Sequence, residues 1–537
     1  MPPTGGFLDA ADWSVIAVYL LGIVGLGVWL GQGQRTTRDY FLGGKSVPWW
    51  GIGLSIVAAE TSALTIISVP AIAYGGNLLF LQMLLGYVIA RVVLAIFLVP
   101  HYFEGEIYSP YELFARAFGP SARQAAGGLF LLGETLAAGV RVYVACIPVQ
   151  LMLGLQVLPA IVLFVVLSLI YTYLGGVRSV IWTDAVQFGL FLFGGLFTVL
   201  YVPWLLPGGW AGAVREAAGA GKLLWLSTHG AVLREAGLGR FLAACLAEPF
   251  NLWMGLIGGT VMVLSSHGAD QLIVQRVLAC KGVAEGRKAL VLSAVAIFPL
   301  FLVFLAAGVM LWVYYQHFPF AIPIPGPAPG VRQHDYVYPI FMLTAVPHWL
   351  RGFLIVAILA AAMSSASSAL TALASVSTMD FVRHWGRAWS EEACLRFSRH
   401  STVLWAGAVV VVAYLSRQTP FVLNTAFSLR GLTSGALLGG LILAVFRPRG
   451  RALPVVAGMA VSVIALAGLD LLPRWGWSSG WWRSVVGVRV FWPWFTLIGT
   501  VITVGVVWVV AVLGGAPHSR PAPTAPTQAP RDPAQAN

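Results

Sequence analysis

Long apolar runs dominate this chain and leave it few folds to choose from. Thirteen are long enough, or nearly so, to cross a bilayer: 13–31, 47–75, 78–101, 124–154, 157–175, 183–206, 240–265, 289–316, 350–378, 401–416, 420–446, 452–472 and 491–514. Inside lipid every backbone N–H and C=O must find its partner within the protein, and a helix provides that within one segment. The sequence therefore predicts an all-α polytopic membrane protein with about 13 transmembrane helices. Composition agrees: 58% of residues are hydrophobic and 10% charged, where soluble proteins carry about 25% charge. The net charge of +12 does not point to nucleic acid, because Lys and Arg fall mainly in loops. Cys146, Cys245, Cys280 and Cys394 have no metal-ligand spacing, and a disulfide framework is not expected.

Loop charge sets the expected orientation. Basic residues follow span 1 (Arg35, Arg38, Lys45), span 7 (Arg276, Lys281, Arg287, Lys288), span 9 (Arg383, Arg387, Arg396, Arg399) and span 11 (Arg447, Arg449, Arg451). All four loops share one side if the N-terminus is outside and the C-terminus cytoplasmic, as expected in a plasma or inner membrane. The first residues lack the basic stretch and cleavage site of a signal peptide, so the first apolar run reads as a retained helix. Residues 1–514 read as one transmembrane domain, and the Pro/Ala-rich 515–537 as a disordered tail.

Two spans are interrupted. Span 2 carries Ala58-Ala59-Glu60-Thr61-Ser62 in its middle, and span 7 carries Glu248-Pro249, Asn251 and three glycines. Broken helices at matching places in two halves point to an inverted repeat with a central site. The repeats would be 47–206 and 240–446, with 452–514 as extra helices. In span 9, Ala361, Ser364, Ser365 and Ser368 fall at i, i+3, i+4 and i+7, one helical stripe. Hydroxyls there, with no carboxylate among them, suit a weakly charged hard cation such as Na⁺; small residues on one stripe equally suit close helix packing. Glu60, Glu134, Arg141, Asp184 and Glu248 lie within apolar spans, where each costs at least about 2.5–3.5 kcal/mol unless paired or hydrated. Glu134 and Arg141, seven apart, share a helix face and read either as functional groups or as a structural pair. No His/Cys metal cluster, nucleophile–base set or phosphate loop appears, so an enzyme is not expected.

Several ordered segments resemble the sodium/solute symporter family: Arg38-Asp39-Tyr40-Phe41-Leu42-Gly43-Gly44, Tyr171–Gly176 with Trp182–Gln187, Asp270-Gln271 with Val274-Gln275-Arg276, and Ala360–Asp380. The resemblance implies a LeuT-like fold of two five-helix inverted repeats, each opening on a broken helix. It implies a sodium site using carbonyls of Ala58, Thr61 and Ala361 and hydroxyls of Ser364 and Ser365. A second Na⁺, as some members bind, would use Asp184, Ser364, Ser367 and Ser368; Asp184 as a structural or gating acid is the alternative. Family substrate contacts carry over to Glu60, Ser62, Thr65, Gln82, Arg141 and Asn251. Arginine's planar fork suits a carboxylate, so Arg141 favours an organic acid or amino acid; Glu60 and Arg141 either read opposite ends of a zwitterion or neutralise each other. The implied activity is Na⁺-coupled symport of a small organic solute by alternating access, with one or two Na⁺ and no obligate protein partner. A sugar or other neutral solute, proton coupling, and a transporter-like membrane sensor are the alternatives.

Overall fold

The computed structural model describes residues 8–153, 155–324, 333–384, 389–417, 422–446, 450–473 and 476–513. Among them all regular structure is helical. In chain order the helices are α1 (Ala10–Leu30), α2 (Thr37–Leu42), α3 (Trp49–Glu60), α4 (Ala63–Gly75), α5 (Leu81–Tyr102), α6 (Tyr111–Phe118), α7 (Pro120–Leu153), α8 (Val157–Leu205), α9 (Gly209–Gly219) and α10 (Gly230–Ala247). There follow α11 (Thr260–Gly268), α12 (Gln271–Leu278), α13 (Val283–His317), α14 (Val337–Thr344), α15 (Leu350–Val376), α16 (Glu391–Ser416), α17 (Val422–Phe446), α18 (Ala452–Leu471), α19 (Ser479–Val485) and α20 (Phe495–Leu513).

Eight of the described helical stretches are long and apolar enough to cross a membrane, and the bent pair α3–α4 makes a ninth. Of the three remaining expected spans, the seventh is divided by the break between α10 and α11, the tenth lies in α16, which starts at Glu391 with charged residues in its first turns, and the eleventh gives the shorter apolar stretch Arg430–Phe446. The tail 515–537, residues 325–330, and Arg387, Arg447 and Arg449 lie outside the described residues. Helix α8 covers two expected spans. A straight helix of 49 residues would be about 74 Å long, over twice the ~30 Å hydrocarbon core. It is broken at Gly176, whose φ of 52° and ψ of −156° a side chain would oppose.

Burial is graded from centre to rim. In α15 and its continuation to His384, 94% of the most apolar stretch is buried, against 17% in α1 and 22% in Trp492–Leu513. The Ala/Ser composition of α15 explains this, since small side chains let neighbours approach on every side. On the rim, Leu21, Leu453, Ile464 and Val501 stand well exposed, an apolar surface for lipid chains. At Gly86 of α5 the contact is backbone to backbone: a Cβ there would strike Gly255 and Thr260 in the second half of span 7.

The loop after span 7 is not a loop. Residues 271–278 form α12, with Asp270 as its N-cap accepting from Leu272 N at 2.9 Å. All eight of its residues are buried.

Candidate functional site

Helix α3 ends where Thr61 (φ −82°, ψ 104°) and Ser62 (φ −101°, ψ 174°) turn extended, and α4 leaves at 61°. The last helical bond is Thr61 N to Val57 O at 2.8 Å. The carbonyls from Ala58 onward therefore lose their helical donors. Serines of α15 face this break: Ser364 Oγ lies 3.4 Å from Ala58 O, and Ala361, Ser364 and Ser365 are all buried. Two hydroxyls, Thr61 Oγ1 and Ser365 Oγ, are buried without any hydrogen-bond partner. Such an orphan costs about 1–3 kcal/mol. A monovalent cation held by hydroxyl and carbonyl oxygens would remove that cost, and the near absence of carboxylate argues against Ca²⁺.

Asp184, on α8, is fully buried behind the same serines. Its Oδ1 accepts from Ser364 Oγ at 2.6 Å, and its Oδ2 from Ser55 Oγ at 2.7 Å and Arg276 Nη2 at 2.8 Å. The same Arg276 nitrogen donates to Ser368 Oγ, and Arg276 Nε donates to Ser55 Oγ at 2.8 Å. Ser367 Oγ donates to Ser364 O at 3.1 Å. A guanidinium thus stands between Asp184 and Ser368, two groups that the resemblance assigns to a second Na⁺. Arg276, read from sequence as a surface charge marking orientation, is 3% exposed and belongs to this cluster.

Next to the break is a cavity of about 100 Å³, lined by Glu60, Ser62, Thr65, Phe80, Tyr87, Arg141, His267, Leu272, Ile273, Phe301 and Arg430 among others. Three ion pairs surround it. Arg91 pairs with Glu60, Arg141 with Glu134, and Arg430 with Asp270. His267 Nε2 joins the first pair, 3.0 Å from Arg91 Nη2 and 3.5 Å from Glu60 Oε2. Glu60 and Arg141 therefore do not neutralise each other; each has its own partner. Pairing makes such charges tolerable away from water. Arg141 Nε remains buried and unpartnered.

Gln82 and Asn251 are spent elsewhere. Gln82 Nε2 donates to Phe250 O at 2.6 Å, and its Oε1 accepts from Ser227 N at 3.1 Å. Asn251 Nδ2 donates to Cys245 O and Glu248 O at 3.1 Å each, and its Oδ1 accepts from Met254 N at 2.9 Å. Both side chains tie down the break in span 7, and neither is among the residues lining the cavity. Glu248, beside this break, is its helix cap, and its side chain is 59% exposed.

Sequence reading missed Arg91, His267, Asp270 and Arg430 as site residues. The signal was there for two of them: Arg91 and Arg430 sit inside apolar spans, as conspicuous as the charges that were singled out.

A broken helix whose freed carbonyls face a row of buried serines, beside a small charged cavity, defines an ion-coupled membrane transporter. Residues 40–461 match the sodium:solute symporter family, and the chain belongs to that family. It is 27% identical to the human sodium/iodide cotransporter over 88% of this chain and 71% of that protein. It is 28% identical to the sodium/sialic acid symporter SiaT of Proteus mirabilis over 86% of this chain and 89% of that protein. Its fold is that of a Na⁺-coupled sialic acid symporter solved in a substrate-bound, outward-open state, with a TM-score of 0.80 at 24% identity, covering 94% of this chain and 98% of that one. The fold is LeuT-like, and Na⁺ is the coupled ion.

Proposed function

We propose that this protein carries a small monocarboxylate or amino acid inward with Na⁺ by alternating access. The repeats are 47–206 and 240–446, 452–514 is an addition, the N-terminus is outside and the C-terminus cytoplasmic. The observation that carries the reading is the pair of orphaned hydroxyls, Thr61 Oγ1 and Ser365 Oγ, at the break in α3–α4. Ala58, Thr61, Ala361, Ser364 and Ser365 hold the first Na⁺. Asp184, Ser364, Ser367 and Ser368 accept a second only once Arg276 has moved away, since its guanidinium already serves as the cation of Asp184 and Ser368. No covalent step is assigned to any residue.

Charge bookkeeping supports the anionic choice, a monocarboxylate. The three arginines around the cavity are matched one to one by Glu60, Glu134 and Asp270. A monocarboxylate adds one negative charge, which one Na⁺ cancels. The cavity is smaller than the ~150 Å³ void that admits benzene, so it suits a solute of about four to six heavy atoms. Arg141 offers an unpartnered buried N–H for the carboxylate; Glu60, Ser62 and Thr65 line the rest. With one Na⁺ per monoanion no net charge crosses. A second Na⁺ would add about 2.3 kcal/mol of drive per 100 mV.

The test is a thermal-shift screen of acetate, lactate and alanine in NaCl and in KCl. A transported solute stabilises the protein more in NaCl. Arg141→Ala is expected to abolish the solute's shift while the shift from NaCl alone persists. Equal stabilisation in both salts, with uptake following a pH gradient in sodium-free buffer, would replace Na⁺ by H⁺.

A further inference from the structure

Helix α12 touches both sites. At its amino end, Asp270 pairs with Arg430, a cavity-lining residue, and Leu272 and Ile273 line the cavity themselves. At its other end, Arg276 holds Asp184, Ser55 and Ser368, one hydroxyl away from the sodium oxygens through Ser364. The two charges are six positions apart, about 9 Å of rise. Between them Gln271 Nε2 donates to Tyr108 O at 2.8 Å and to Ser375 Oγ of α15 at 3.1 Å. The helix is thus pinned at each end by a charge pair, and each pair borders a different ligand.

We propose that α12 is the element that couples solute to ion: the Asp270–Arg430 pair latches its solute end, the Arg276–Asp184 pair latches its sodium end, and it moves only when both are released. The proposal rests on the Na⁺ symport reading above. The physical logic is competition. A solute carboxylate held at Arg141 lies in the cavity that Arg430 also lines, and its second oxygen competes with Asp270 for the Arg430 guanidinium. A Na⁺ at Ser364 and Ser365 sits one hydroxyl from Asp184 and repels Arg276, a like charge in poorly screened surroundings. Either ligand alone leaves one latch closed. Coupling in this form is the difference in affinity of each ligand for the latched and unlatched states.

The test uses the full chain in proteoliposomes and Na⁺ alone as probe. Wild-type vesicles with no organic solute are expected to hold a ²²Na⁺ gradient. Asp270→Asn and, separately, Arg430→Gln remove the solute-end latch, so sodium alone opens the helix. Each is expected to raise solute-free ²²Na⁺ leak by about tenfold or more, the population shift that loss of a charge pair produces. Both variants are also expected to raise amide exchange over 270–280 in NaCl but not in KCl, a readout that a generally loosened protein would not split by cation. If NaCl stabilises the wild type over KCl and both variants stay as Na⁺-tight and as protected as wild type, the latch is overturned and the symport reading stands. If NaCl gives the wild type no stabilisation over KCl, both fall.

Discussion

The two helix breaks look alike in sequence and differ in what they leave unsatisfied. In span 7, Asn251 and Gln82 bond the broken backbone directly. Trp494 Nε1 adds a bond to Cys245 O at 3.0 Å, and the main chain of 246 and 252 pairs with Phe491 N and Ser227 O, both at 2.9 Å. In span 2 no side chain caps the start of α4, the end of α3 receives only the long contact from Ser364 Oγ to Ala58 O at 3.4 Å, and Thr61 Oγ1 and Ser365 Oγ are both buried without a partner. One break is sewn shut by the protein; the other keeps two buried hydroxyls unspent. Polar residues at a kink are therefore not by themselves a site. What matters is whether their hydrogen-bonding capacity is already spent.

The largest expected effect tests the sewn break. Asn251→Ala removes three hydrogen bonds, two of them buried, and strips Glu248 O and Met254 N of their side-chain partner. Its expected cost is about 3 kcal/mol of stability, read as a lower melting temperature in KCl. The NaCl concentration giving half-maximal stabilisation of the surviving folded protein should stay as in wild type. A large loss of sodium affinity with unchanged stability would make Asn251 a ligand-site residue and erase the contrast.

Ser365→Ala tests the open break and should do the reverse. The hydroxyl has no partner to lose, so melting in KCl should hold or rise slightly. Half-saturating Na⁺ should rise about tenfold, equivalent to about 1.4 kcal/mol. Unchanged sodium dependence would remove Ser365 from the ion's shell.

How much of this was legible beforehand follows from how far each interaction reaches. Local features were readable: the apolar spans, the polar interruption at 58–62, the serine stripe and the buried Asp184 all announce themselves within a few residues. Pairings were not. Glu60 meets Arg91 31 residues away, Asp184 meets Arg276 92 away, and Asp270 meets Arg430 160 away. A charge in an apolar span says that a partner exists, not which one. So the choice left open between Glu60 and Arg141 as mutual partners or separate groups needed tertiary contacts. Arg276 misled for another reason. Loop arginines mark orientation on average, but this one sits in an eight-residue buried helix that composition alone does not separate from a loop. The resemblance carries Gln82 and Asn251 over as substrate contacts, yet their spending on backbone groups depends on the fold of the span 7 break, including Phe250 at φ 60°.

The smallest expected effect separates the two kinds of oxygen at Thr61. The family resemblance assigns its carbonyl to the ion, while the orphan seen here is its hydroxyl. Thr61→Val keeps the shape and the β-branch, which suits the extended φ of −82° and ψ of 104°. It leaves the carbonyl in place and deletes only the buried, unpartnered hydroxyl. If the carbonyl is the ligand, half-saturating Na⁺ should change by less than about threefold, under ~0.7 kcal/mol, and melting in KCl should rise as the orphan's desolvation cost disappears. A rise as large as that for Ser365→Ala would put the Thr61 hydroxyl in the ion's shell, and the open break would then hold its cation with three side-chain oxygens instead of two.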